Sequence, residues 1–137
     1  MIRTLKSIAA AAVLGLAILP TVALAHHSFA MFDFTKTTTL KGTVKDFQWT
    51  NPHVTLWVVG APSAGGASDL WTAELTSPGN LTRLGWSKRS LKAGDRVVLD
   101  INPLRDGRHG GAFRKVTNTD TGQVLMSNLR DQERPGL

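Results

Sequence analysis

The sequence predicts an all-β fold with one short helix. Beyond residue 36, apolar and polar residues mostly alternate with the two-residue period of a β-strand. Residues 78–84 instead space two leucines three apart, as a helix does. Glycine-rich stretches such as "APSAGGAS" and "RDGRHGG" separate the periodic segments, as loops do. Together these features are typical of a small antiparallel β-domain.

Three predicted strands come first and form a β-meander. The first strand, "TTTLKGTVKDFQW", carries Leu40 and Val44 on one face. Its apolar phase then changes to Phe47 and Trp49, which predicts a bulge between the two halves. The second and third strands are predicted in "HVTLWVVG" and "DLWTAEL", which begin at His53 and Asp69.

A short helix follows the meander. Ser77 is a suitable N-cap, Pro78 suits the first helical turn, and Gly85 suits the position just past the end. Two further strands are predicted in "SLKAGDRVVLDI" and "AFRKVTN", and "TDTGQVLM" is predicted to turn into a short sixth strand. The last eleven residues are polar, and we expect them to fray.

Three strands, a helix and two more strands is the element order of the OB-fold, a small Greek-key barrel. Gly42 inside the long first strand predicts a sharp bend there. A bent first strand can belong to both sides of the barrel. A plain antiparallel sandwich is the alternative, which the single helix makes less attractive. We therefore predict one OB-fold-like, five- to six-stranded barrel over residues 26–137.

The first 25 residues have the pattern of a signal peptide. Two cations precede an apolar run over residues 8–18, which is shorter than the roughly 20 residues of a membrane-spanning helix. Ala-Leu-Ala at residues 23–25 suits signal peptidase. We expect cleavage between Ala25 and His26 and a periplasmic or secreted product without a membrane span. An uncleaved membrane anchor is the alternative.

Cleavage would leave 112 of the 137 residues, a length typical of one compact domain. It would remove Arg3 and Lys6 and so lower the net charge from +6 to +4. This charge is too diffuse to indicate a nucleic-acid partner. Because the chain has no cysteine, its stability must come from an apolar core rather than from disulfides.

Cleavage would also make His26 the first residue, and His27 follows it directly. An amino-terminal histidine offers its α-amine and its imidazole Nδ1 to one metal ion. A further imidazole completes a three-nitrogen "histidine brace", a geometry that favours copper. The α-amine has a pKa of about 8, which is low enough for a metal to displace its proton at neutral pH.

Two other histidines lie in loops that flank the ligand face of an OB-fold. His53 ends "QWTNPH" in the first of these loops, and His109 lies in "RDGRHGG", the second. We expect Asn51 to orient the first loop from the second coordination shell. The sequence thus predicts a copper site whose ligands come from His26, His27, His53 and His109. The alternative is a frayed arm and two unrelated surface histidines.

No residue pattern argues for catalysis. The sequence has no Ser-His-Asp order, no phosphate-binding loop and no cysteine nucleophile. It therefore favours a binding module over an enzyme. The first predicted function is the copper-binding module, and an oxidative copper enzyme is a distant third. The second function is a metal-free barrel that binds a partner protein or a glycan, for which exposed aromatic rings would be suited. The four tryptophans lie in or near apolar segments, however, and this placement predicts core positions for them.

The strings "AHHSFAMFDF", "WTNPH" and "GWSKRSLKAGD" and the later "RDG" resemble the motifs of a family of exported bacterial domains of unknown function. The resemblance extends from His26 to about residue 124. It implies export and marks His26, His27, His53 and Trp86 as motif positions. It implies no particular activity, and His109 is not among the positions that carry it.

Overall fold

A computed structural model describes residues 29–127 of the protein. A single 3₁₀ turn at Phe29–Met31 comes first. The elements that follow are β1 (Thr38–Gln48), β2 (Thr55–Pro62), β3 (Asp69–Glu74), α1 (Pro78–Arg83), β4 (Arg96–Pro103), β5 (Gly110–Asn118) and β6 (Val124–Met126).

The strands form one sheet in the order β3-β2-β1-β4-β5-β6, with antiparallel neighbours throughout. A parallel pairing between β3 and β5 joins the two sides of this sheet. Five strands therefore close into a barrel, and β6 is an additional strand beside β5. This arrangement confirms the predicted all-β class and the OB-fold-like barrel, because a sandwich would leave two separate sheets.

The first strand has the bulge that its sequence predicts. Its register with β2 shifts between Val44 and Asp46, where the apolar phase changes. At Gly42 the β1 and β2 backbones are so close that an added Cβ would lie 2.3 Å from the carbonyl oxygen of Val59. Only glycine permits this approach, which lets β1 pair with β2 and β4 at the same point.

The barrel interior is filled as the strand phases predict. Leu56 and Leu99 are fully buried, and Trp71 and Trp86 are buried with them. The indole of Trp86 also donates a hydrogen bond to the carbonyl of Met126, at 3.1 Å, which holds β6 on the barrel. The core prediction is thus confirmed for two tryptophans, whereas Trp49 and Trp57 are only partly buried.

The helix begins and ends where its capping residues predict. The Ser77 hydroxyl accepts a hydrogen bond from the backbone N–H of Asn80, and Gly85 has a positive φ of 85°. In contrast, β5 begins at Gly110, two residues before the predicted start. An added Cβ at Gly111 would lie 2.1 Å from the carbonyl oxygen of Asn102. These glycines therefore belong to the strand and bring β4 and β5 close together, rather than ending the loop.

A second, smaller apolar cluster lies at the start of the described chain. Phe32 pairs with Leu104 through an isolated β-bridge, and the N–H of Asp33 donates to the carbonyl of Pro103 at 2.8 Å. The ring of Phe34 packs against those of Phe29 and Phe32. This segment is thus packed against the barrel from Phe29 onward, which the sequence did not predict. Across residues 29–127, no helix is long and apolar enough to cross a membrane.

Candidate functional site

His53 lies in the loop between β1 and β2, as predicted, and its Nδ1 contacts Oε1 of Glu74 at the end of β3. The N–H of Val54 donates to the carbonyl of Thr76 at 3.0 Å, and the N–H of Leu75 donates back to the carbonyl of Val54 at 2.8 Å. These backbone bonds continue the β2–β3 pairing beyond the strands. The His53 side chain is 36% exposed and that of Glu74 21% exposed, so the pair is half-buried.

His109 lies in the loop between β4 and β5, also as predicted. Its Nδ1 is 3.0 Å from Oδ2 of Asp69, at the start of β3. Its ring stacks on Trp71, with centroids 4.6 Å apart and planes inclined by 26°. The side chains of His109 and Asp69 are 47% and 58% exposed, so this pair lies largely in solvent.

Both histidines therefore contact a carboxylate of β3, one at each end of the strand. Neither Glu74 nor Asp69 was predicted as part of the site. Asn51, which we expected to orient this loop, is exposed, and Glu74 contacts the His53 ring. The β2–β3 register, which places Thr55 opposite Glu74, is the signal that would have indicated the pairing.

A cavity of about 300 Å³ lies where β3, β5, the β4–β5 loop and the amino-terminal turn meet. Met31, Phe32 and Leu104 supply its apolar wall. The carboxylate-bearing Glu74 and the basic loop residues form its polar side. The full lining is Met31, Phe32, Thr72, Glu74, Leu104, Arg108, His109, Gly110 and Gly111.

The β4–β5 loop is held by the amino-terminal turn and by a contact within the loop. The N–H of Arg105 donates to the carbonyl of Met31 at 2.9 Å, and its Nε donates to the carbonyl of Ala30 at 3.1 Å. Within the loop, the backbone N–H and then the guanidinium of Arg108 lower the pKa of Asp106 below its ordinary value. The amino-terminal turn and the loop that carries His109 are thus joined beside the cavity.

His26 and His27 lie outside the described residues, so their predicted role as ligands is untested. They precede Phe29 by three and two residues, and three residues of extended chain span at most about 11 Å. Within residues 29–127, no group of three or more His, Cys, Asp or Glu side chains is placed to hold a metal ion. In this part of the chain His53 and His109 belong to two separate carboxylate pairs.

Residues 12–114 match the sequence profile of a family described as "Family of unknown function (DUF6152)". The chain belongs to this family. The DUF6152 match covers three-quarters of the chain and includes His26, His27, His53 and His109. It assigns none of them a role, because the description of DUF6152 names no activity. No curated protein and no solved structure matches the chain.

Proposed function

We propose that this DUF6152 protein is an exported, small metal-binding module that binds copper through His26 at the amino terminus of its mature chain. The observation that carries the proposal is the position of the cavity. Met31, five residues after His26, lines the same cavity as Glu74, and Glu74 holds His53. Five residues of extended chain span at most about 18 Å, so His26 can reach the cavity wall where Glu74 contacts His53.

The proposed coordination uses three nitrogens. His26 contributes its α-amine and Nδ1, which chelate one ion, and one further imidazole completes the T-shaped set that copper favours. His53 is the third ligand in this arrangement, and His27 is the local substitute for it. His109 is the least suited, because its ring is already stacked on Trp71 and its pair with Asp69 lies largely in solvent.

Export is part of the same proposal. Removal of residues 1–25 creates the α-amine at His26, whereas an internal His-His pair would lack that donor. The site would then form in the periplasm or outside the cell, where a periplasmic partner protein would deliver or receive the ion. No residue is assigned a catalytic role.

The experiment compares the mature protein, residues 26–137, with the same protein carrying three additional serines before His26, which leaves no histidine among its first three residues. Intact-mass measurement of the protein recovered from an exporting bacterium first verifies that the chain starts at His26. Isothermal titration should then give about one copper(II) per mature chain, and electron paramagnetic resonance should show nitrogen ligands. The additional serines should remove the α-amine of His26 as a donor, break its chelate with Nδ1, and abolish the high-affinity binding. Identical spectra and affinities for the two proteins would contradict the proposal.

A metal-free binding barrel for a partner protein or glycan is the second candidate. Large apolar side chains are exposed at Val59 on β2 of the barrel and at Val124 and Met126 on the additional strand β6. Such side chains suit a partner surface rather than a metal ion. A mature protein that binds no copper, yet captures a periplasmic protein or glycan through these strands, would favour this function.

A further inference from the structure

We propose that Glu74 is a positioning residue for the copper site: it holds the Nδ1–H of His53 and so makes Nε2 the nitrogen that binds the metal. This inference rests on the proposed function and adds a residue that the sequence did not indicate. It assigns Glu74 an action through His53 rather than a direct bond to copper.

The first observation is the contact itself. Nδ1 of His53 meets Oε1 of Glu74 within hydrogen-bonding distance. A carboxylate accepts hydrogen bonds and an imidazole nitrogen donates one only when it carries hydrogen, so the hydrogen of the neutral ring belongs on Nδ1. The lone pair of that tautomer is then on Nε2, the nitrogen through which the ring would bind a metal ion.

The second observation is the surroundings of the pair. Glu74 is the last residue of β3, lies mostly out of solvent, and lines the cavity that Met31 also lines. A hydrogen bond to a charged group gains strength as solvent is excluded, because the local dielectric constant falls. Glu74 is also fixed by its backbone, since it pairs with Thr55 of β2 and Ala112 of β5. The backbone that carries the carboxylate is thus held by two neighbouring strands.

The third observation is a general feature of metal-binding histidines. They almost always donate the second ring N–H to a carboxylate, a carbonyl or water, and this bond sets both the tautomer and the ring orientation. Asp69 makes the same contact with His109, but that pair is solvent-exposed and its ring also stacks on Trp71. Asp69 is therefore the matched control: it offers the same chemistry in a pair that lies largely in solvent.

The first test needs no metal. Nitrogen-15 NMR of the mature protein should show His53 as the Nδ1–H tautomer, and Glu74→Ala should shift it toward the Nε2–H tautomer that free neutral histidine prefers. Asp69→Asn should leave the His53 signals unchanged. A His53 that is Nε2–H in the unaltered protein would overturn the inference, whether or not copper binds.

The second test is a double-mutant cycle measured by copper(II) affinity. Glu74→Ala should weaken binding about 10- to 100-fold, the usual cost of losing such a partner, and Glu74→Gln should weaken it less because its amide oxygen still accepts from Nδ1–H. In a His53→Ala background, Glu74→Ala should have no further effect. An undiminished effect there would show that Glu74 acts directly, and would overturn the positioning role.

The two proposals fail in different ways. If the unaltered mature protein binds no copper, the proposed function is wrong, and the NMR experiment still decides whether Glu74 sets the tautomer. If copper binds through His26 and His53 but Glu74→Ala and Glu74→Gln match the unaltered protein, only the role of Glu74 is wrong. Melting temperatures of the metal-free variants verify that each one is folded.

Discussion

The two ends of β3 carry the same interaction in different surroundings. At each end a histidine from a barrel loop places Nδ1 against a strand carboxylate, His53 with Glu74 and His109 with Asp69. One member of each pair, Glu74 and His109, lines the cavity beside the amino-terminal turn, and the first pair is half-buried. The second pair is exposed, and its histidine is held by its contact with Trp71 as well as by the carboxylate.

This difference shows that burial, rather than the identity of the paired groups, separates the two sites. Exposed ion pairs contribute little, because water and salt screen them and because ordering the side chains costs entropy. A half-buried pair is screened less, and its carboxylate acts more strongly on the ring. We therefore expect the two ends to respond differently to matched substitutions.

The largest effect is expected when Trp71 is replaced, because its ring stacks on His109 of the exposed pair. Trp71→Ala should lower the free energy of unfolding by about 3–5 kcal/mol, because Trp71 is buried in the barrel core. Trp71→Phe should cost far less. It keeps a ring beneath His109 and removes an indole N–H that has no hydrogen-bond partner among the described residues. Urea denaturation measures both, and equal losses would show that packing of the ring is not what matters.

The next effect compares the two histidines as ligands. His53→Ala should weaken copper(II) binding of the mature chain by more than the 10- to 100-fold expected for Glu74→Ala. The reason is that it removes a nitrogen donor rather than a residue that acts through one. His109→Ala should weaken it by less than about tenfold. Binding should also weaken as the pH falls, because a metal ion must displace a proton from its nitrogen donors. Titration calorimetry measures all three effects, and equal losses at the two histidines would remove the distinction between the pairs.

The two carboxylates should also differ in the metal-free protein. Glu74→Gln should lower the free energy of unfolding by about 1–2 kcal/mol, because it weakens a half-buried hydrogen bond to a charged group. Asp69→Asn should cost less than about 1 kcal/mol, since its pair is exposed. Chemical denaturation at low and high salt provides the measurement. A larger loss at Asp69 would contradict the argument from burial.

The smallest effect is expected at Asp33, whose carboxylate serves as a reference because it bonds to a threonine rather than to a histidine. The hydroxyl of Thr35 lowers the pKa of Asp33, which follows the amino-terminal turn. Because the pKa is lowered in the folded state, this contact stabilises the fold above about pH 4, and the stabilisation is lost as pH falls through the lowered value. Asp33→Asn should therefore melt slightly lower than the unaltered protein at pH 7 and equally at pH 2. A difference that persists at pH 2 would contradict this assignment.

Local sequence patterns were enough to predict most of the barrel. The alternation through Leu56 and Leu99 set the buried face of two strands, and Ser77 and Gly85 marked the two ends of the helix. These features depend on residues a few positions apart, where backbone geometry and capping act directly. The same local reading placed His53 and His109 in the correct loops.

The partners of those histidines depended on the tertiary structure. Glu74 meets His53 because the β2–β3 register places them together, and Asp69 meets His109 because β3 and β5 pair in parallel when the barrel closes. The packing of Phe32 on Leu104 likewise joins segments about seventy residues apart. Periodicity determines which face of a strand is buried, whereas register and barrel closure depend on non-local contacts that leave no local pattern in the sequence. The sequence by itself therefore determined the strands, the helix and the candidate histidines, and only the folded barrel decided which carboxylates hold them.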